Sequence, residues 1–342
     1  HSTSSAASDV YKRQQLDTGC NSMTVIMGRG ECGSHVTLIF TVNDEDEELI
    51  NQGSLGAGLC LEHGVETIAR GIEGPFKLNI KFIEGDGDRL LYERTLELLS
   101  EQLIGVKEYT WDLAVKLKLP LSQGFGMSAA GSISAAMGFQ RALGEPHEES
   151  LRRSFAIAHR VERELSTGLG DVTALAAGGV ERRTRAGSPF SGKLLNRGPG
   201  NSEGWTHETK VILAWKKNSG KHTSSYIDNK KWKKTISDAG IKQMKEINLG
   251  EWNDSRWNEL LERSGTFVEE SGLLNDSFRN ELLNEVESLT THLGFKPLLC
   301  LLGNSLVIVP NDLHMDIEYG SIIEKLEKVG FETIETKIGR LF

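Results

Sequence analysis

The sequence predicts an α+β fold built from two domains. Segments with the two-residue period of strands alternate with segments of helical period in both halves of the chain. Glycine and proline crowd together between residues 184 and 204, which separates the two halves. A length of 342 residues is also typical of about two domains. We therefore predict a first domain over residues 23–190 and a second over residues 191–342.

In the first half, apolar and polar residues alternate in several short segments, and helical patterns follow them. The predicted strands are 24–27, 36–42, 59–69 and 77–83, with a glycine-rich break at 28–33. The predicted helices are 90–103, the stretch 111–117, 128–142 and 171–177. Residues 1–22 lack the apolar core of a signal peptide and resemble translated vector sequence, so we expect the native start at Met23.

The second half begins with a buried strand pattern and continues with helical patterns. The strand is predicted at 211–215 and helices at 257–271 and 278–293. A further strand region at 298–309 precedes a helix at 317–329, which ends at Gly330. The same alternation of strands and helices therefore predicts α+β structure here as well.

Composition argues against several classes of partner. A net charge of −9 makes general attraction to nucleic acid unexpected, and no run of about 18 apolar residues predicts a membrane span. The basic run Lys230–Lys234 is better explained as the solvated face of a helix than as a binding patch. The four cysteines show no C-x-x-C spacing, which predicts neither a zinc site nor a disulfide framework. Reduced thiols in the cytoplasm are the simplest explanation.

The most informative segment runs from Pro120 to Gly131. Gly124 and Gly126 free the backbone so that N–H groups can turn toward an anion, and a helix follows from about Ser128. The helix N-terminus would add unpaired N–H groups and a positive dipole, and the Ser128 hydroxyl is suited to ligate magnesium. The segment therefore predicts a phosphate-binding loop. The alternative is a glycine turn that only lets an alanine-rich helix pack closely.

Two better-known glycine motifs do not fit this segment. A Walker A loop requires Gly-Lys followed by Ser or Thr, but the Gly-Lys pairs here are followed by Leu194 and His222. The Rossmann pattern G-x-G-x-x-A does match Gly124, Gly126 and Ala129. The acidic residue about 20 positions later nevertheless falls in a polar turn instead of at the end of an apolar strand, so a dinucleotide fold is disfavoured.

Two carboxylates follow the phosphate-loop candidate: Glu162 lies near the end of a charged helical segment, and Asp171 lies at the start of the apolar helix after it. Asp171 follows a glycine turn and could accept or orient a substrate hydroxyl, while Glu162 could bind magnesium. The structural alternatives are an N-cap for Asp171 and an ion pair with Arg160 or Arg163 for Glu162. Glu164 is the alternative metal ligand.

The segment 120–131 resembles motif 2 of the GHMP kinases, P-x-x-x-G-x-G-x-S-A-A. Segments 35–40, 53–58, 158–162, 167–172 and 178–189 are, in that order, similar to the archaeal pantoate kinase family. The resemblance implies an ATP-phosphate loop made by Pro120, Gly124, Phe125, Gly126, Met127, Ser128, Ala129 and Ala130. It implies Ser128 and Glu162 as magnesium ligands, with Asp171 as the catalytic carboxylate.

The resemblance also implies the architecture and the acceptor. We expect a first domain like ribosomal protein S5 domain 2 and a ferredoxin-like second domain, with ATP between them. The expected reaction is ATP- and magnesium-dependent phosphorylation of the primary hydroxyl of D-pantoate, on the way to coenzyme A in archaea. We expect the protein to bind small-molecule substrates, to bind neither nucleic acid nor membrane, and to form a homodimer. Other small alcohols (homoserine, mevalonate or a sugar) and a catalytically silent ATP-binding module remain alternatives.

The acceptor side is expected to be basic because pantoate carries a carboxylate. Arg183 matches the arginine of the family, and a guanidinium can bind a carboxylate through two hydrogen bonds, but Arg182 and Arg185 leave the assignment open. His159, Ser54 and Thr37 occupy positions that the resemblance assigns to the substrate. His35, a lone histidine in the first segment, is interpreted as structural.

Overall fold

The fold consists of two sheets, each covered by helices. The computed structural model describes residues 24–192, 195–217, 230–315 and 318–339, without the side chains of residues 230 and 231. No helix in these ranges is long and apolar enough to cross a membrane. Outside them lie the extension 1–22 with Cys20, the expected start Met23, Lys193 and Leu194 of one Walker A candidate, and all of the other candidate, Gly220 to His222.

The first sheet has six strands. In chain order the strands of this region are β1 (Val25–Phe40), β2 (Gly56–Glu73), β3 (Lys77–Glu84), β4 (Tyr109–Leu117), β5 (Val180–Arg185), a short β6 (Phe190–Ser191) to β7 (Asn196–Arg197) hairpin, and β8 (Asn201–Trp205). The sheet order is β3-β4-β2-β5-β8, and β1 also pairs with β2. Only β3 and β4 are parallel among these pairs.

Four helices belong to this domain: α1 (Arg89–Gln102), α2 (Met127–Leu143), α3 (His147–Leu165) and α4 (Asp171–Ala177). α2 is almost wholly buried and packs on β1 and β2. Gly28 and Gly30 of β1 lie against the backbone of α2, where a side chain would collide with the carbonyl oxygens of Gly138 and Ser134. The predicted glycine-rich break at 28–33 is therefore wrong: these glycines lie inside β1 and allow a close approach between strand and helix.

The helix predicted at 111–117 is also wrong, because this stretch is strand β4. Trp111, Leu113, Val115 and Leu117 are buried, and the residues between them are partly exposed. This is the two-residue alternation of a half-buried strand. The predicted helices at 90–103, 128–142 and 171–177 are confirmed within one or two residues as α1, α2 and α4.

The second domain is a four-stranded antiparallel sheet with helices. Its elements are β9 (Lys210–Lys216), α5 (Lys230–Ile247), α6 (Trp257–Glu270), α7 (Ser277–Thr290), β10 (Phe295–Cys300), β11 (Ser305–Pro310), α8 (Gly320–Lys328) and β12 (Phe331–Lys337). The sheet order is β10-β11-β9-β12. With strands and helices in this sequence, that order gives the ferredoxin-like topology that was expected.

The first sheet continues beyond residue 190, after which the sequence predicts the second domain. β8, at residues 201–205, still pairs with β5 of the first sheet. Arg182 of β5 then connects the domains: it donates to Glu203 at 2.8 Å, to the carbonyl of Ile247 at 2.6 Å and to that of Gly250 at 2.9 Å, and it stacks on Trp252. The chain therefore passes from the first sheet to the second between β8 and β9.

Candidate active site

A cavity of about 480 Å³ opens where the phosphate-loop candidate faces the turns before α4 and after β10. This volume lies in the range of small-molecule sites. Its lining combines residues from β1, the turn before β2, α1, the segment 121–128, the α3–α4 turn, β5, α5 and the turn at 301–302. Among the predicted site residues the lining includes Thr37, Ser54, Gly124, Phe125, Gly126, Met127, Ser128, Asp171 and Arg183.

The glycines of segment 120–131 adopt the conformation that the prediction requires. Gly124 has φ +79° and Gly126 has φ +60°, both in the left-handed region that favours glycine. Gly126 is the N-cap of α2. The first N–H groups of the helix and its positive dipole end therefore face the loop at this end of α2. Ser128 lies in the first turn. The local geometry is that of an anion-binding helix N-terminus.

The turn between β10 and β11 supports this loop from the second domain. Gly303 packs on the backbone of Gln123, and the Ser305 hydroxyl donates to the Gln123 carbonyl at 2.5 Å. A Cβ at Gly124 would lie 2.8 Å from the carbonyl oxygen of Leu301. The turn at residues 301–305 therefore contacts the loop directly and holds its backbone.

Ser128 and Glu162 form the candidate metal pair. The Ser128 hydroxyl donates to Glu162 Oε1 at 2.7 Å, and the Glu162 side chain, in the last turn of α3, is almost fully buried. Gly168 leaves room for this carboxylate, since a side chain there would overlap it. Burial, together with the nearby charge of Asp171, raises the pKa of Glu162 above its ordinary value.

The donor set suits magnesium, and a cation would offset the charge of the two nearby carboxylates. Magnesium usually takes one or two protein carboxylates and completes its shell with water and substrate phosphates. One hydroxyl and one carboxylate beside an anion-binding helix end match that pattern. In the ranges described, no group of three or more His, Cys, Asp or Glu side chains forms a metal site. The alternative ligand Glu164 instead binds Arg94 at 2.5 Å and Arg160 at 2.8 Å.

Asp171 is the first residue of α4 and lies in the cavity wall with about a fifth of its side chain exposed. Its Oδ1 lies 2.6 Å from His35 Nδ1 and accepts a hydrogen bond from Thr37 at 3.3 Å. Burial alone would raise the pKa of Asp171, but the hydrogen bond and charge of His35 outweigh it and lower the pKa. The carboxylate is therefore held ionised, as a proton acceptor must be.

Arg183 is the arginine of the 182–185 run that faces the cavity. Its side chain is about 1% exposed, and its NH2 donates to the Ile39 carbonyl at 3.2 Å. Gly56 and Gly170 lie against the guanidinium; a Cβ at Gly170 would be 2.7 Å from NH1. Arg182 is tied to the second domain, and Arg185 is exposed. Of the three arginines, Arg183 is the one in the cavity lining, and its binding of substrate stays a prediction.

The glycines of segment 53–58 leave space for the side chains of Arg183 and Glu181. In the sheet, Gly56 lies between Phe40 and Arg183, and Gly58 lies between Thr37 and Glu181. Ser54, just before β2, is buried beside Gly170, and its hydroxyl lies 3.3 Å from the backbone nitrogen of Thr41 and donates to the Leu55 carbonyl at 2.8 Å. Ser54 and Thr37 thus adjoin Arg183 and Asp171, as the substrate-side prediction requires.

His159 is not brought to the cavity wall. Its side chain is buried on α3, and its Nε2 faces the carbonyl oxygen of Leu49 at 3.1 Å. A carbonyl can only accept, so the ring donates through Nε2. Burial lowers the pKa of His159 to about 4. The structure therefore gives this histidine a structural contact, with its substrate role left as a prediction.

His159 should make stability depend on acid pH. The unfolded chain binds a proton at this group near pH 6.5 and the folded chain only near pH 4, so stability is complete above pH 6.5 and falls as pH decreases toward 4. We expect this group to remove about 2 kcal/mol of unfolding free energy between pH 7 and pH 5. Chemical denaturation of wild type and His159→Gln measures it, since Gln keeps a donor for Leu49 but does not titrate.

The exposed His147 provides the control, because His147→Gln should leave the pH dependence of the wild type unchanged. Equal slopes for wild type and His159→Gln would contradict the buried, neutral state.

Two cationic residues of the site were not predicted from sequence. Arg163 and Lys233 line the cavity together with Arg183, although Arg163 was considered as a partner of Glu162 and Lys233 as part of a solvated face. Arg163 instead donates to Gln52 at 3.0 Å and to the Gly168 carbonyl at 2.6 Å. Lys233 binds Asp44 at 2.5 Å. The cavity lining thus carries three cationic side chains beside the three carboxylates of Asp44, Asp88 and Asp171.

Part of the chain that forms this cavity is similar to a known protein family. Residues 90–179 match the model of the GHMP kinases N terminal domain. That segment contains the candidate phosphate loop, Glu162 and Asp171. The chain superposes on a solved structure described as a phosphotransferase related to the CoA biosynthesis pathway, with a TM-score of 0.71, 22% identity, and coverage of 92% of this chain and 97% of that one. The chain is therefore similar to the GHMP kinases in the sequence of residues 90–179, and its fold is that of the CoA-related phosphotransferase.

The chain is also similar to pantoate kinases. It is 30% identical to the pantoate kinase of Thermococcus kodakarensis over 169 residues, which are 48% of this chain and 53% of that protein. It is 24% identical to the pantoate kinase of Methanocaldococcus jannaschii over 80% of this chain and 90% of that protein. The first match thus spans about half the length of the relative, and the second spans most of it.

Proposed function

We propose that this protein phosphorylates the primary hydroxyl of D-pantoate with ATP and magnesium, giving 4-phosphopantoate for coenzyme A synthesis. The observation that carries the proposal is the cavity itself, in which an ionised carboxylate, a buried arginine and an anion-binding helix end meet. The named similarity to pantoate kinases supports the choice of acceptor.

The loop and α2 supply the triphosphate side. N–H groups at the start of α2 would bind phosphate oxygens, with Ser128 and Glu162 holding magnesium. Magnesium, when bound, neutralises the charge that develops on the phosphates. An apolar part of the lining would suit the base of the nucleotide. It is formed by Leu91, Tyr92, Leu117 and Leu121.

The acceptor side follows from charge. The Arg183 guanidinium would bind the carboxylate of pantoate, and Ser54 and Thr37 would bind its hydroxyl oxygens. Asp171 would then accept a hydrogen bond from the primary hydroxyl and take its proton as the oxygen attacks the γ-phosphoryl group. Phosphoryl transfer mainly needs positioning and charge stabilisation, and these residues supply both.

Glu162→Gln should change the magnesium requirement. The variant loses the charged oxygen that would hold the ion, so we expect the magnesium concentration for half-maximal turnover to rise by about 10-fold or more. Magnesium titrations at saturating ATP measure this shift. Glu164→Gln is the matched control, because Glu164 is paired with Arg94 and Arg160 and should leave the titration unchanged. A shift of equal size in both variants would contradict the assignment.

The first test of the proposal is ADP release with separate acceptors. D-pantoate, homoserine and mevalonate are each offered with ATP and magnesium to the wild type. Turnover with pantoate alone supports the proposal, and turnover with another acceptor keeps the kinase but overturns the acceptor. No turnover with any acceptor favours a silent ATP-binding module. A homoserine kinase would need a carboxylate for the substrate amine, whereas Arg183 makes this acceptor side basic.

The compartment and the assembly are parts of the same proposal. Cys32, Cys60 and Cys300 are free, buried thiols, which suits the reducing cytoplasm where this reaction would occur. The resemblance further implies a homodimer, and sedimentation analysis would test it.

A further inference from the structure

A second carboxylate lies behind Asp171, on the far side of a buried histidine. His35 Nδ1 is 2.6 Å from Asp171 Oδ1, and His35 Nε2 is 3.0 Å from Glu181 Oε1. Both His35 and Glu181 are fully buried. The ring is thus held between two carboxylates, one that lines the cavity and one that does not.

The sheet fixes this arrangement. His35 lies on β1 and Glu181 on β5, and β2 separates the two strands. The contact passes over Gly58, where a Cβ would lie 2.5 Å from His35 Nε2 and 3.1 Å from Glu181 Oε1. The His35 N–H also donates to the Phe125 carbonyl at 3.1 Å, so its backbone is attached to the phosphate loop. The imidazole therefore has a defined place relative to both the loop and Asp171.

Each ring nitrogen faces a carboxylate oxygen, which only accepts hydrogen bonds when it is ionised. Burial alone would lower the pKa of His35, but its hydrogen bonds to Asp171 and Glu181 raise it above the ordinary value. Glu181 Oε2 has no hydrogen-bond partner among the described residues, and Oε1 lies 3.7 Å from Arg183 NH2. A buried carboxylate that is only partly satisfied is costly, so a histidine that merely fills the core does not explain it.

We propose that His35 and Glu181 are a positioning pair for the catalytic carboxylate. Glu181 accepts from Nε2–H and fixes the ring, so that Nδ1–H is directed at Asp171 Oδ1. Asp171 is thereby held in one orientation, facing the acceptor hydroxyl. This inference rests on the proposed function of Asp171, and it assigns to His35 a role that the sequence interpretation as a structural histidine did not include.

Two substitutions of His35 separate positioning from packing. An Asn amide nitrogen can take the place of Nδ1 and still donate to Asp171, whereas a Gln amide nitrogen takes the place of Nε2 and reaches toward Glu181. We expect His35→Gln to lower kcat by about 10²-fold, as a misplaced reacting group does, with the KM for ATP little changed. His35→Asn should retain kcat within about 10-fold of wild type. Thermal unfolding of both variants controls for stability.

Glu181→Gln completes the test, because it removes the charge that fixes the ring but keeps an oxygen that accepts from Nε2–H. Its kcat should lie between those of His35→Asn and His35→Gln. Equal kcat for His35→Asn and His35→Gln, or losses that follow the drop in melting temperature, would overturn the pair.

The pair can be tested even if no acceptor is turned over. In protein labelled with ¹⁵N-histidine, the His35 Nδ1–H signal should move in Asp171→Asn and the Nε2–H signal in Glu181→Gln. Lack of wild-type turnover would count against the proposed function, and unmoved ring signals would count against the pair.

Discussion

Asp171→Asn should lower kcat by about 10³-fold, because an amide accepts a hydrogen bond but cannot take the proton of the acceptor hydroxyl. The amide oxygen can still accept from His35 and Thr37, so the local structure and the KM for ATP should be preserved. Steady-state ADP release with D-pantoate measures the effect. A kcat within a few-fold of wild type would mean that Asp171 does not take part in the chemistry.

Asp44→Asn is the matched control for this loss. Asp44 is another carboxylate of the cavity lining, and it is paired with Lys233 instead of with His35. Removing a partly exposed ion pair of this kind should change kcat by no more than about fivefold. A comparable loss in both variants would point to a general electrostatic effect of the lining carboxylates, not to a specific proton acceptor.

Arg183→Lys should raise the KM for D-pantoate by about 10²-fold, with the KM for ATP unchanged. Lysine keeps the positive charge near Glu181 but loses the planar pair of donors that a carboxylate matches. Losing a charge-assisted hydrogen bond of about 1.5–3 kcal/mol gives a change of this size. Arg183 is buried against Gly56 and Gly170, so lysine also fits the space more loosely.

Two neighbouring arginines provide the controls. Arg185→Lys should leave both KM values unchanged because Arg185 is exposed. Arg182→Lys should lower the unfolding free energy through its lost contacts to Glu203, Ile247 and Gly250, again without a change in KM. If Arg182→Lys raised the KM for pantoate and Arg183→Lys did not, the carboxylate assignment would be wrong.

Local patterns predicted the parts of the site that depend on local backbone. Gly124, Gly126 and the helix after them follow from residue type alone, because left-handed glycine and a helix start are decided within a few residues. The start of α4 at Asp171 follows in the same way. The segments that the family resemblance drew on, 53–58 and 178–189, meet in space as neighbouring strands β2 and β5.

The parts that were missed depend on long-range pairing. His35 and Glu181 are 146 positions apart in the chain, and their contact passes over Gly58 on a third strand. Alternation along β5 does place residues 181 and 183 on the same face, which was an available signal. Lys233 was missed for the same reason. A helix that carries several lysines is expected to be solvated, and only the packing of α5 near β1 brings one of these lysines to the cavity.

The secondary-structure errors have a related cause. The stretch 111–117 was interpreted as a helix although Trp111, Leu113, Val115 and Leu117 alternate with polar or small residues. That period of two was the stronger signal. The glycines at 28 and 30 indicated a loop by type, whereas their purpose is a close contact with α2, which no local pattern reveals.

The most direct test of the account is to identify where phosphate is attached after wild-type protein is incubated with D-pantoate, ATP and magnesium. Phosphorus–proton correlation NMR of the product distinguishes the sites by their attached protons. We predict one phosphomonoester coupled to the CH₂ protons of the primary hydroxyl carbon, absent with Asp171→Asn. Phosphate on the secondary hydroxyl or the carboxylate, or pantoate that stays unmodified, would contradict the proposed function.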